Sequence, residues 1–181
     1  SPLLLTEEGR SVAEKIAGKI VTVIGEGAFS EHPEIRSVSL PESVTTIESY
    51  AFCACSNLES VRIPKELRVI EDCAFAKCFS LNQLIMENFS SKAYGAFLPD
   101  SLQTLGTGAF EYCRELTFVA IPSSLQHWGA YAFSGSGLEQ ILFEDGIKEI
   151  PDYAFAGCEQ LPKVVIPSSV TRIGNAVFFG C

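Results

Sequence analysis

The stretch AFCACSNLESVRIP, residues Ala51 to Pro64, holds two of the chain's seven cysteines and an apolar run that stops at a proline. Taken alone, Cys53-Ala54-Cys55 has the look of a metal or redox motif. Taken with its neighbours, it is one copy of a repeat. With Phe52 as position zero, Cys55 stands at +3, Leu58 at +6, Val61 at +9, Ile63 at +11, Pro64 at +12, Leu67 at +15 and Ile70 at +18. The next Ala-Phe arrives at 74–75, a step of 23 residues. Ile35, Val38, Leu40, Pro41, Val44 and Ile47 fill the same slots after Phe29. Leu116, Val119, Ile121, Pro122, Leu125 and Trp128 follow Phe110, and Leu161, Val164, Ile166, Pro167, Val170 and Ile173 follow Phe155. With Phe75, Phe133 and Phe178, seven copies begin.

Two copies deviate. After Phe133 one residue is missing, so Leu138, Ile141, Phe143, Ile147 and Ile150 come one place early. After Phe75 the pattern runs to Leu84 and Met86, then roughly twelve extra residues, 87–98, enter before Pro99-Asp100-Ser101-Leu102 resumes it.

A 23-residue period with leucine-like slots predicts a leucine-rich-repeat solenoid over residues 20–181. One coil cannot bury its apolar side chains alone, whereas stacked coils share a continuous core. The phenylalanines form a spine. The +9 and +11 residues point inward from a parallel, concave β-sheet, and proline at +12 ends each strand. Val44-Thr45-Thr46-Ile47 and its equivalents predict short second strands, and the Ala-Phe-x-x-Cys segments predict short helical turns. Residues 1–19 read as an N-terminal cap segment. Ser11-Val12-Ala13-Glu14 fits a capping box, which predicts a short helix over about 12–17 that covers the first coil.

The motif Ile-x-x-x-Ala-Phe-x-x-Cys-x-x-Leu-x-x-Val-x-Ile-Pro-x-x-Val resembles the BspA-like, Treponema-type leucine-rich repeats over about residues 20–181. The departures are the insertion, the short fifth copy and Trp128 in an isoleucine slot. That resemblance implies a secreted, periplasmic or cell-surface protein whose leader has been removed, with adhesion and protein binding as its role. It implies no catalytic residues and no cofactor.

The repeat also accounts for the cysteines. Cys55, Cys78, Cys113, Cys158 and Cys181 all stand at +3, where a small, weakly polar side chain suits a buried turn. Cys53 at +1 and Cys73 at −2 lie off that column, as surface thiols or a local pair. A metal site is disfavoured, because Cys-x-Cys occurs once and His32 and His127 are far apart in the array. A net charge of −9 with scattered acids argues against nucleic acid, which needs a basic face. No apolar run approaches the ~20 residues of a membrane span. No Ser/His/Asp, Cys/His or paired-carboxylate constellation marks an enzyme.

Function is therefore sought where the fold makes no demand. Strand alternation points +8 and +10 outward. The +10 positions read Ser39, Arg62, Ile85, Ala120, Leu142, Val165, and the +8 positions Ser37, Ser60, Gln83, Phe118, Gln140, Lys163. Copies one and two are polar at +10, and from the third copy onward +10 is apolar with Phe118 beside it. Ile85, Phe118, Ala120, Leu142 and Val165 are thus the expected apolar patch, with Phe89, Tyr94 and Phe97 of the insertion as its wall or lid. An exposed apolar stripe calls for a partner, here a protein or an apolar ligand. Two other readings stay open: the insertion covers the stripe, or the register slips by one and the stripe is core. The chain also stops inside a coil at Cys181, so the alternative function is a scaffold that self-assembles through an uncapped solenoid end as a homo-oligomer.

Overall fold

The computed structural model describes residues 15–16, 19–88 and 93–181. Lys15–Ile16 (β1) and Lys19–Ile20 (β2) pair antiparallel. The helix expected over 12–17 lies mostly outside the described residues. Its described part, Lys15–Ile16, is a strand.

From Val23 on, the chain winds through stacked coils. Coils 1 to 7 begin at Phe29, Phe52, Phe75, Phe110, Phe133, Phe155 and Phe178. A long parallel sheet takes Ser37–Ser39 (β4), Ser60–Ile63 (β6), Gln83–Met86 (β8), Gly95–Phe97 (β9), Phe118–Ile121 (β11) and Gln140–Phe143 (β13). A second sheet takes Val23–Ile24 (β3), Thr46–Ile47 (β5), Val69–Ile70 (β7), Thr104–Leu105 (β10) and His127–Trp128 (β12). Glu149–Ile150 (β14) and Arg172–Ile173 (β15) form a separate pair on that side.

The third side is built of turns. Short helical turns were expected here, but no helix occurs among the described residues. In every coil the residues at −2 and +2 have positive φ, for example Tyr50 and Ala54 (59° and 58°) or Cys73 and Lys77 (53° and 59°). Left-handed residues two before and two after the phenylalanine stop an α-helix from propagating. They turn the flanking peptides along the solenoid axis instead. Phe52 N–H then donates to Ala74 C=O (2.8 Å), Phe75 N–H to Ala109 C=O (2.8 Å) and Phe110 N–H to Ala132 C=O (2.7 Å). The turn side is thus hydrogen-bonded from coil to coil as a sheet is.

The core is set by this stacking. Phe52, Phe75, Phe110, Phe133 and Phe155 are fully buried. Phe29, Phe52, Phe75 and Phe110 stack with centroids 5.2 Å apart and rings within 12° of parallel. Spacing along the backbone ladder dictates this near face-to-face arrangement. Val61 and Ile63 point inward as their slots require, while Ser60 and Arg62 stay partly exposed.

The +3 cysteines complete each turn. Cys55 Sγ donates to the Phe29 carbonyl (3.0 Å), Cys78 to Phe52 (3.1 Å), Cys113 to Phe75 (3.2 Å), Cys158 to Phe133 (3.3 Å) and Cys181 to Phe155 (3.3 Å). Each thiol reaches back one coil and satisfies a carbonyl of the spine. In coil 5 the slot is Ser136, which bonds its own Phe133 carbonyl (2.7 Å). All seven cysteines are free. Cys53 and Cys55 part company because Ala54 between them is left-handed: Cys55 is buried and Cys53 is partly exposed. Burial pushes the thiols of Cys55 and Cys158 up to about 11, and those of Cys78 and Cys113 well above the usual range.

The insertion is not simply a loop set into an unchanged coil. Its last part is β9, which pairs with β8 on one side and β11 on the other. The reason is a second copy of the strand pattern: Ala96 and Leu98 are buried at the alternate positions and Pro99 follows. β9 is thus the strand that leads into the rest of coil 3, and β8 is an additional strand stacked on β6. The second sheet gains nothing at this level, since β7 pairs directly with β10.

Two outcomes follow. Phe75→Ala removes a ring from the middle of the spine and should cost about 3–5 kcal/mol of unfolding free energy in urea titration. The buried thiols also set a pH dependence. Their folded-state pKa lies above the unfolded value of 9.0, so their stabilisation is complete below pH 9 and is lost as pH rises through about 11. The urea midpoint should fall across that window, and less steeply when Cys55 and Cys158 are both alanine.

Candidate functional site

The outer face of the long sheet collects the residues singled out from the sequence. Strand register fixes two rows. The +8 row pairs Ser37 with Ser60, Ser60 with Gln83, Gln83 with Gly95, and Phe118 with Gln140. The +10 row pairs Ser39 with Arg62, Arg62 with Ile85, Phe97 with Ala120, and Ala120 with Leu142. Because β9 is a strand of the long sheet, Phe97 lies in the row itself, beside Ala120.

Exposure along the row is uneven. Ser39 and Arg62 at its polar end are partly exposed. Ile85 is 2% exposed. The ends of the insertion are tied over this part of the sheet. Arg62 Nη1 donates to the Glu87 carbonyl (3.0 Å), and Gln83 Nε2 to the Ala93 carbonyl (3.0 Å). Arg62 and Gln83 both face outward, so these bonds hold chain against the outer face on either side of Ile85. Tyr94 is 63% exposed. Phe89 lies outside the described residues.

Beyond Ile85 the face opens. Phe97 and Phe118 are partly exposed and pack with centroids 5.2 Å apart at 43°. Phe118 lies over Gly95, where a Cβ would sit 2.7 Å from the ring and 2.8 Å from the Phe118 carbonyl. Gly95 also has φ of 120°, so glycine is required there on both counts. Ala120 is partly exposed, Leu142 is 54% exposed and Val165 is 77% exposed. Val165 belongs to a segment with no strand, adjoining the unpaired edge of β13. The structure therefore joins Phe97, Phe118, Ala120 and Leu142 on one surface, leaves Val165 exposed on a segment outside the sheet, and withdraws Ile85. The strand role of Phe97 was missed in the sequence, although Ala96, Leu98 and Pro99 carry its signal.

The chemistry of this face is that of contact. Among the described residues no group of three or more His, Cys, Asp and Glu side chains is arranged to hold a metal ion, and no helix is long and apolar enough to cross a membrane. Ion pairs such as Arg36–Glu59 (3.0 Å) are exposed and join successive coils.

Comparison with known proteins agrees with this architecture. Residues 22–98 and 94–181 match the BspA type leucine-rich repeat region, with six copies. No curated protein matches the chain. Among solved structures, a leucine-rich repeat protein of T. pallidum is 32% identical, with a TM-score of 0.83 over 94% of this chain and 75% of its own. One from Bacteroides ovatus is 25% identical, with a TM-score of 0.81 over 94% of this chain and 42% of its own. A leucine-rich cell surface protein of Faecalibacterium prausnitzii is 30% identical, with a TM-score of 0.52 over 94% of this chain and 50% of its own. The chain thus spans less than half the length of the Bacteroides ovatus protein and half that of the Faecalibacterium prausnitzii one. With its 23-residue coils, phenylalanine spine and matched repeats, the chain belongs to the BspA-type leucine-rich repeat family.

Proposed function

We propose that this protein is a non-enzymatic binding module, secreted or displayed at a cell surface, that captures a protein segment through the outer face of its long sheet. The observation that carries this is a contrast between neighbouring coils. Coils 1 and 2 place Ser39 and Arg62 at +10, so the fold accepts polar residues there. Coils 5 and 6 place Leu142 and Val165 at the same position and leave them 54% and 77% exposed. Exposed apolar side chains that the fold does not require are what an interaction surface needs.

The binding surface runs from Phe97 and Phe118 over Ala120 to Leu142 and Val165. Ile85, buried in the same row, adds no exposed area, and Tyr94 stands exposed in the segment that leads into β9. The paired rings of Phe97 and Phe118 supply the largest rigid contact area, which suits anchoring an apolar side chain of the partner. Burying a few hundred Å² of such surface is worth several kcal/mol at roughly 25 cal/mol per Å², before association costs. The family relationship supports this reading, because solenoid faces of this kind present extended binding surfaces. Adhesion to a host or neighbouring cell is the form of binding that it favours.

Leu142→Asp with Val165→Asp tests the proposal, since both side chains are exposed and the change leaves the core untouched. Peptides selected from a displayed library on the wild-type chain should lose at least tenfold in affinity for the double variant, while its urea midpoint stays within error. Unchanged affinity for every selected peptide contradicts the reading. Loss of folding shows that the two residues are structural and contradicts it as well.

A further inference from the structure

The 22-residue fifth coil leaves the stack joined differently on its two sides. At the junction of coils 4 and 5 the long sheet is intact, with Phe118 to Ile121 paired in register with Gln140 to Phe143. The second sheet is split there, and no pairing joins β12 to β14. At the junction of coils 5 and 6 the arrangement reverses. β14 pairs with β15, whereas the long sheet ends at β13 and residues 161–167 form no strand.

Local chemistry explains the break in the second sheet. Elsewhere on the second sheet, the residue after each strand donates its N–H to the coil before. Glu71 bonds the Ile47 carbonyl (2.9 Å), Gly106 bonds Ile70 (2.8 Å) and Gly129 bonds Leu105 (2.8 Å). In coil 5 that residue is Pro151, which has no N–H to give to Trp128. A cleft of about 670 Å³ opens at the split, lined in part by Gln126, His127, Trp128, Lys148, Glu149 and Pro151. The Trp128 ring reaches past the usual isoleucine volume to meet Phe143 (6.4 Å) and Phe155 (6.1 Å), and its buried Nε1 has no hydrogen-bond partner among the described residues. A coil short by one residue keeps register with one neighbour on one sheet and with the other neighbour on the other sheet.

The turn side stays continuous through both junctions. Phe110 N–H donates to Ala132 C=O (2.7 Å), Phe133 to Ala154 (2.9 Å) and Phe155 to Val177 (3.1 Å). The spine nevertheless loosens. Its ring spacing, 5.2 Å through coil 4, becomes 5.3, 5.6 and 5.9 Å over the next three steps.

We propose that coil 5 is a hinge, about which coils 6 and 7 swing relative to coils 1 to 4 while the turn-side ladder holds. At each junction one sheet and the turn side hold, and the third side is free to open. In a solenoid each coil contacts only its neighbours, so a junction lacking one of three ladders is where bending concentrates. The free side between coils 5 and 6 lies between Leu142 and Val165, so the swing changes the spacing of two exposed apolar side chains. The hinge itself rests on the pairing, not on the proposed binding role.

Pulsed electron spin resonance on the whole chain tests it, with labels carried by non-natural residues so that the native thiols are left alone. Labels at Glu66 and Ser168 span the hinge, and labels at Glu42 and Asp100 lie within the regular stack. The first pair should show a distance distribution at least twice as wide as the second. Pro151→Ala supplies the missing N–H and should narrow the first distribution only. Equal widths in the wild-type chain overturn the hinge, as does a Pro151→Ala width unchanged from wild type. Hydrogen exchange on the unmodified chain gives an independent reading. Amides of 147–150 and 163–166 should exchange at least tenfold faster than those of 102–105 and 118–121, and equal protection overturns the hinge.

Discussion

Everything in this structure depends on a peptide ladder that fixes coil spacing on the side where there is no sheet. The Phe52 N–H bonds the Ala74 carbonyl, and the same bond recurs from coil 1 to coil 6. It holds the phenylalanine rings at a separation near 5.2 Å, which excludes water from the spine. Two left-handed residues per coil make the ladder possible, at some backbone strain wherever the residue is not glycine. Burial of the ring, worth roughly 1.5–3 kcal/mol for a side chain of this kind, offsets that strain at every level. The cysteine column belongs to the same device, because each thiol satisfies a carbonyl of the spine that would otherwise sit buried and underused.

Such a scaffold separates stability from function along each strand. Val61 and Ile63 are committed to the core, while Ser60 and Arg62 between them are free to vary. The chain uses that freedom unevenly. Its first coils are polar outward, its third buries Ile85 where Arg62 and Gln83 anchor the ends of the insertion, and its fifth and sixth expose leucine and valine. Gly95 shows how closely β9 is fitted, since it gives the Phe118 ring a surface on which no side chain would be tolerated.

Much of this was legible in the sequence because a period leaves few alternatives. Slots +9, +11 and +18 read as core in Val61, Ile63 and Ile70, and all three are buried. The left-handed turns that replace the expected helical ones were not legible, because positive φ at Tyr50, Lys77 or Tyr131 has no residue signature comparable to glycine. The place of Ile85 was not legible either. Its +10 slot is outward, yet its burial depends on how the insertion is held across the face by Arg62 and Gln83. Phe97 moved from the expected lid into the sheet because two strand patterns, ending at Met86 and at Leu98, compete for one slot and the fold accepts both.

The central claim is that the residues this repeat leaves free on the long sheet are the ones that meet a partner. Photo-crosslinking tests it most directly, with a benzophenone side chain placed at Leu142 on the sheet face or at Tyr131 on the turn face and a selected peptide as partner. The account predicts crosslinked peptide from position 142 and none from position 131. Crosslinking from position 131 alone would place the binding surface on the turns and contradict it.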